Sequence, residues 1–276
     1  MPPLIAPPHQ FDAATTVKPG ESGVLLGRTS ADYANMVGPF GGVTAATLLR
    51  SALEHPDRLG DPVSLTVNFA GPIADGEFEV SADPVRTNRS TQHWTIALEQ
   101  GEETTTTATA VFGVRRPGWT DTELTMPDVP PVESVAAQQF PDGIAWFRNY
   151  DMRFVEGGPE PIVAGQPGGS QTTLWVRDQP QRPLDFPALT ALADVFMPRV
   201  MLRLGRLVPA GTVSLTVYYH ADAAALAAQG DRPLLATANA QHFGGGYFDQ
   251  TGQLWSADGT LLVTTHQMVY FKADAI

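Results

Sequence analysis

Hydrophobic and polar positions run through the same order twice along this chain. Residues 64–69 read SLTVNF and residues 214–219 read SLTVYY, so two segments 150 positions apart agree at four of six places. Both are rich in β-branched and aromatic residues, which predicts strands. A helical pattern precedes each: Gly41 to Glu54 (GGVTAATLLRSALE) and Pro187 to Leu204 (PALTALADVFMPRVMLRL). Further strand-like runs follow, ending in TTTTATAVFG (104–113) and LLVTTHQMVYF (261–271), with Ala-Asp-Gly turn signals at 74–76 and 257–259. Leu189, Leu192, Val195, Phe196, Val200 and Met201 leave the second helix no polar side, which predicts an enclosed helix. The first carries Gly41, Gly42, Ala45 and Ala46, small enough to bring its backbone close to a sheet. The expected class is α+β, with a central helix wrapped by a curved antiparallel sheet, present twice.

Composition supports a folded chain. Of 276 residues, 43% are hydrophobic and only 17% charged, the reverse of the balance that keeps a chain disordered. Prolines 117, 127, 130, 131 and 141 mark a linker. The expected organisation is residues 1–116, a linker at 117–141, and residues 142–276. A formal charge of −12 disfavours nucleic acid as a partner. With no cysteine, disulfides, thiol nucleophiles and cysteine-bound metals are excluded. Histidines 9, 55, 93, 220, 242 and 266 form no metal-binding spacing, and no GxSxG elbow is present. The stretch HFGGGYFDQ (242–250) lacks a phosphate-loop pattern and reads as a strand bend or bulge. MPPLIAPPHQFDAATTV carries no basic leader and no run reaches 18 apolar residues, so the expectation is a cytoplasmic protein without a membrane partner.

The segments GPFGGVTAATLLRSA (38–52), SLTVNFAGPIADGEFEV (64–80), RTNRS (86–90), TALADVFMPRV (190–200), SLTVYYH (214–220) and ADGTLLVTTHQMVYFK (257–272), in that order and spacing, resemble the acyl-CoA thioesterase II family. The resemblance covers roughly Asp32 to Lys272 and implies a tandem, or double, hotdog fold. It also implies hydrolysis of acyl-CoA to free acid and CoA by a water activated in the second half, without a cofactor. Matched by position, the family's Asp falls on Asp194 in the central helix, its Thr on Thr212 and its Gln on Gln267. The first-half counterparts, Thr44 or a neighbour, Pro62 and Thr109, lack the trio. Such a pair already forms the hotdog dimeric unit, and further homo-oligomers through sheet edges are expected.

The residue types suit this chemistry. A thiolate leaves readily, so hydrolysis needs an activated water and donors for the oxyanion more than a strong acid. Burial would raise the Asp194 carboxyl toward the working range. Thr212 and Gln267 bring a hydroxyl and an amide to orient water. Pro198, four residues after Asp194, predicts a kink beside the base. Gly41 and Gly42 at a helix start are candidate oxyanion donors. Arg86 and Arg89, with Arg115 and Arg116, are the candidate phosphate contacts. Plainer readings stand beside these: Asp194 paired with Arg199, Gln267 as a solvent-facing strand residue, and the glycines as packing. Two other functions remain open, a noncatalytic binder of acyl-CoA or another apolar ligand, and a hotdog hydratase or dehydratase. The latter relies on a histidine that 31–42 lacks. Residues 221–231 form an alanine-rich helical turn that separates this chain from the family pattern.

Overall fold

A computed structural model describes residues 7–272. The six residues that open the chain, part of the stretch expected to hold no leader, and the last four lie outside the described residues. The first half runs α1 (Gln10–Thr15), β1 (Lys18–Pro19), β2 (Leu25–Arg28), α2 (Gly41–Leu53), β3 (Asp61–Phe69), β4 (Glu77–Thr87), β5 (Thr91–Gln100) and β6 (Glu103–Gly113). The second runs β7 (Tyr150–Glu156), α3 (Glu160–Val163), β8 (Thr172–Asp178), α4 (Phe186–Leu192), α5 (Arg199–Leu204), β9 (Ala210–Tyr219), α6 (Ala223–Gln229), β10 (Leu234–Asn239), β11 (Phe243–Gly244), β12 (Tyr247–Trp255) and β13 (Leu261–Phe271).

All thirteen strands form one antiparallel sheet, in the order β1-β2-β4-β5-β6-β3-β9-β13-β12-β10-β8-β7 with β11 hydrogen-bonded to β12. The seam is β3 against β9, the two copies of the repeated segment. Thr66 faces Thr216 and Leu65 faces Val217. The Thr66 and Thr216 hydroxyls, 150 residues apart in sequence, meet at 3.1 Å, so a pseudo-twofold axis passes between them. Each copy carries a bulge at the same place. Val63 is extruded between Pro62 and Ser64, and Val213 is extruded between Thr212 and Ser214. An extra residue reverses the inward and outward alternation beyond it. Thr212 therefore shares the inward face of buried Leu215, while Val213 is exposed.

The concave face holds the two helices, side by side. Every residue of α4 is buried, as expected of a helix with no polar side. Gly42 is where α2 touches it: a Cβ there would lie 2.7 Å from the Ala191 carbonyl oxygen. The small residues of α2 thus admit a second helix as well as the sheet. Phe40, which caps α2, stacks on Trp146 of the second half at 4.1 Å and lies edge-on to Tyr150 at 6.1 Å. Arg182 binds Asp12 at 2.9 Å and Asp185 at 2.7 Å, and Arg50 reaches the same Asp12 oxygen at 3.3 Å. Aromatic stacking and charge both tie the first half to the second.

Three expectations are corrected. The helix expected over 187–204 is two, broken at 193–198. Residues before proline avoid the α conformation, and Pro198 has no N–H for the Asp194 carbonyl. The second helix restarts from Pro198 and ends on Gly205, which is left-handed at φ 62°. The triple glycine makes a tight hairpin turn rather than a bulge: Gly245 and Gly246 take φ 59° and 81° while Gly244 faces Tyr247. The residue of the first half that matches Gln267 is Ala110. Gln267 faces Leu215, and 150 residues earlier Leu65 faces Ala110, whereas Thr109 matches His266. The alanine-rich stretch after His220 does fold as a helix, α6, started by Asp222, whose carboxylate accepts from the Ala225 N–H at 2.8 Å.

Because Phe40 is 3% exposed and fills the junction between the halves, Phe40→Ala should cost about 3–5 kcal/mol. The check is urea denaturation; a loss below about 1 kcal/mol would mean that the junction does not depend on this ring.

Candidate active site

Asp194 lies in the turn that ends α4, not within a helix as expected. Placing it there frees its carboxyl from the helix side and turns it toward the N-terminus of α2 and the last strand. Its Oδ1 accepts from Gln267 Nε2 at 2.8 Å, and the Gly42 backbone N–H also reaches the carboxylate. A Cβ on Gly41 would lie 2.8 Å from Oδ2, so only glycine lets the helix end approach this closely. Gln267 is 3% exposed on the inward face of β13, and its Oε1 accepts from Thr212 Oγ1 at 3.2 Å. Asp194, Gln267 and Thr212 thus form one chain of hydrogen bonds, drawn from a turn and two adjacent strands. The Val213 bulge is what turns the threonine into it.

No cation completes the arrangement among the described residues. Asp194 is half-buried, and enclosure in apolar packing drives its carboxyl from 3.8 up to about 7, against the lowering effect of the Gln267 and Gly42 hydrogen bonds. The plainer expectation of a pair with Arg199 fails. Arg199 is fully buried and spends its guanidinium on the carbonyls of Met197 and Ser170 and on the Thr172 hydroxyl at 2.6 Å. Burial without a carboxylate lowers it to about 9. It anchors the turn that carries Asp194 without neutralising it.

The remaining candidates divide. Gly41 and Gly42 are at the site, where the Gly42 N–H lowers the pKa of the carboxyl. Arg86 and Arg89 are exposed on the β4–β5 turn. That turn borders the Asp61 end of β3, since Thr91 faces Gly113 and Gly113 faces Asp61. The trio lies at the Phe69 end, some seven strand residues or more than about 20 Å away. The structure does not bring these arginines to the trio. Arg115 points elsewhere, its guanidinium bonded to the Pro62 carbonyl at 3.2 Å. A cleft of about 500 Å³ beneath residues 137–148 is lined by Arg148, Arg153 and Arg177, but Asp194 is not part of it. No group of three metal-ligating side chains occurs among the described residues, and none of their helices is long and apolar enough to cross a membrane.

One residue at the site was missed. Gln250 on β12 faces Gln267 across the ladder and is 2% exposed. The alternation in YFDQTGQLW puts Phe248, Gln250, Gly252 and Leu254 on one face, so a glutamine between a buried Phe and a buried Leu was the available signal.

Comparison with known proteins agrees with this architecture. Residues 30–113 match the model of the acyl-CoA thioesterase N-terminal domain, and residues 126–271 match that of the C-terminal domain. A conserved protein of unknown function with a hot dog fold from Alicyclobacillus acidocaldarius is 49% identical, with a TM-score of 0.92 over 96% of this chain and 99% of that one. The tesB protein of Mycobacterium avium subs paratuberculosis is 17% identical, with a TM-score of 0.77 over 95% and 98%. The acyl-CoA thioesterase II TesB2 of Mycobacterium marinum is 18% identical, with a TM-score of 0.74 over the same shares. No curated protein matches. With a doubled hotdog and family matches in both halves, the chain belongs to the acyl-CoA thioesterase family.

Proposed function

We propose that this chain hydrolyses acyl-CoA thioesters to the free acid and CoA, with Asp194 as general base and Thr212 and Gln267 orienting the attacking water. The observation that carries this reading is the Asp194–Gln267–Thr212 hydrogen-bond chain around a carboxyl that no cation holds and whose pKa lies near 7. A base with that pKa is ionised in useful amounts at neutral pH and still takes a proton well. Water attacks the thioester carbon while Asp194 takes its proton. The tetrahedral oxyanion then re-forms the carbonyl, the C–S bond breaks, and the thiolate departs with the bonding pair and recovers a proton. Thr212 donates to Gln267, and Gln267 donates to Asp194, so each fixes the next. The nucleotide of CoA is not assigned to Arg86 and Arg89, which face the opposite end of the sheet.

Thiol release from acyl-CoAs spanning acetyl to palmitoyl, aromatic ones included, tests the reading. Asp194→Asn should lower kcat/KM by about 10²–10⁴, and near-normal turnover would refute the base. In the wild type kcat/KM should rise with pH through about 7, and a profile flat between pH 5.5 and 8.5, bounds spanning that pKa by about 1.5 units each way, would count equally against it. Gln267→Ala should reduce kcat by about 10-fold or more with a smaller change in KM, the opposite ranking marking a binding residue.

The same carboxyl has a stability signature. Its folded pKa is raised above the ordinary 3.8, so the folded state holds more protons than the unfolded between about pH 4 and 7, and stability falls as pH rises through that window. Asp194→Asn removes this contribution. Its advantage in urea midpoint over wild type should therefore grow from pH 5 to pH 8. A gap independent of pH would contradict the raised pKa.

A further inference from the structure

We propose that Gln250 is the oxyanion donor of this site, its side-chain amide hydrogen-bonding the thioester oxygen as it becomes negative. This rests on the hydrolytic reading above and adds to it a residue that touches substrate. Water oxygen bonds to the thioester carbon, Asp194 takes the proton, and the carbonyl π pair moves onto the oxygen that Gln250 holds. Collapse returns that pair and expels the thiolate.

The need for such a donor is clear from what the other groups are doing. The Gly42 N–H sits near enough to the Asp194 carboxylate to lower its pKa. Gln267 is held at both ends, donating to Asp194 at 2.8 Å and accepting from Thr212 at 3.2 Å. Thr265, two residues before Gln267, and Gln250, across the ladder, are the neighbouring polar side chains on that face, and of the two Gln250 offers an amide. It lies directly opposite Gln267 in the β12–β13 ladder, where the Cβ atoms of facing residues are about 5 Å apart. Being the same length, the two side chains can bring their amides abreast. Gln250 is 2% exposed, yet its amide bonds to no side-chain or backbone group among the described residues, in contrast to its neighbours Asp249 and Thr251, both of which are engaged. With no protein partner among the described residues and its polar atoms not fully sealed from the surface, this amide is open to an acceptor beside the catalytic chain.

Its surroundings favour charge stabilisation. Phe248 on one side is buried, and on the other the Thr237 carbonyl, the Thr265 hydroxyl and the Phe196 ring share the space beside Gly252. A donor enclosed in this way acts in a lower dielectric than water, where its hold on a developing charge is stronger. Across the three strands the order is Thr212 on β9, Gln267 on β13 and Gln250 on β12. Gln250 therefore flanks Gln267 on the side away from Thr212.

Gln250→Met keeps length and volume and removes the donor. Steady-state kinetics on the best acyl-CoA should show kcat lower by about 10²–10³ with KM changed far less, and thermal unfolding should give a Tm no lower than wild type, because no hydrogen bond is lost. Gln250→Glu, which keeps the shape and the acceptors but removes the N–H groups, should lose kcat to a similar extent and serves if the Met variant fails to fold. A folded variant of either kind with kcat within about 3-fold of wild type, or a loss confined to KM, overturns the assignment while leaving hydrolysis intact. A wild type inactive on every acyl-CoA overturns the hydrolytic reading, and this proposal with it.

Discussion

The pairing of β3 with β9 is the constraint from which the rest follows. Two copies of one strand, joined antiparallel about Thr66 and Thr216, turn two small sheets into one and bring their central helices onto the same concave face. An isolated copy would leave a long apolar edge open, the usual route to unwanted pairing. Joined, each copy covers the other's edge, and α2 and α4 come into backbone contact through Gly42 and Ala191. That contact delivers the start of a first-half helix to a second-half carboxyl. The site therefore belongs to neither half alone.

What the assembled site does electrostatically depends on which donors surround Asp194. An arginine or lysine would hold the carboxyl well below neutrality and make it a poor base. A purely apolar wall would keep it protonated. A neutral amide and one backbone N–H at a helix start offset only part of the desolvation, leaving a pKa of about 7. The burial of Arg199 a few residues away underlines the point. Its positive charge is enclosed in the same turn, but carbonyl groups and the Thr172 hydroxyl take its hydrogen bonds, so it fixes the turn's path and leaves the carboxyl free.

Much of this was legible in the sequence, for reasons that differ between elements. The 150-residue offset of SLTV named the seam strands because β-branched residues in a repeated order have few other folded uses. The extent of α2 was readable from its helical run and lack of breakers. Over 187–204 that signal failed, since a helix apolar on every side has no phase to show an interruption, and only Pro198 hinted at it. Asp194, Thr212 and Gln267 came from resemblance; none would have stood out alone. The alternation rule would have placed Thr212 outward, and only the bulge at Val213, which no residue type announces, turns it in. Arg86 and Arg89 were chosen for density of charge along the chain, but a hairpin turn carries neighbours in sequence away from the strand ends that matter.

Only one of two equivalent places carries the proposed trio, and physics gives a reason for it to stay single. The first half keeps the bulge, at Val63, but sets Pro62 where Thr212 is and Ala110 where Gln267 is, so it has neither hydroxyl nor amide to order a water. A buried carboxyl near pKa 7 weakens the fold as the pH rises through neutrality, because ionising it is harder folded than unfolded. Two would double that loss. Asp178, also buried and raised to about 7, already adds to it. With Thr44 or a neighbour where Asp194 is, the first half adds no second group of this kind, and its helix start is what reaches Asp194.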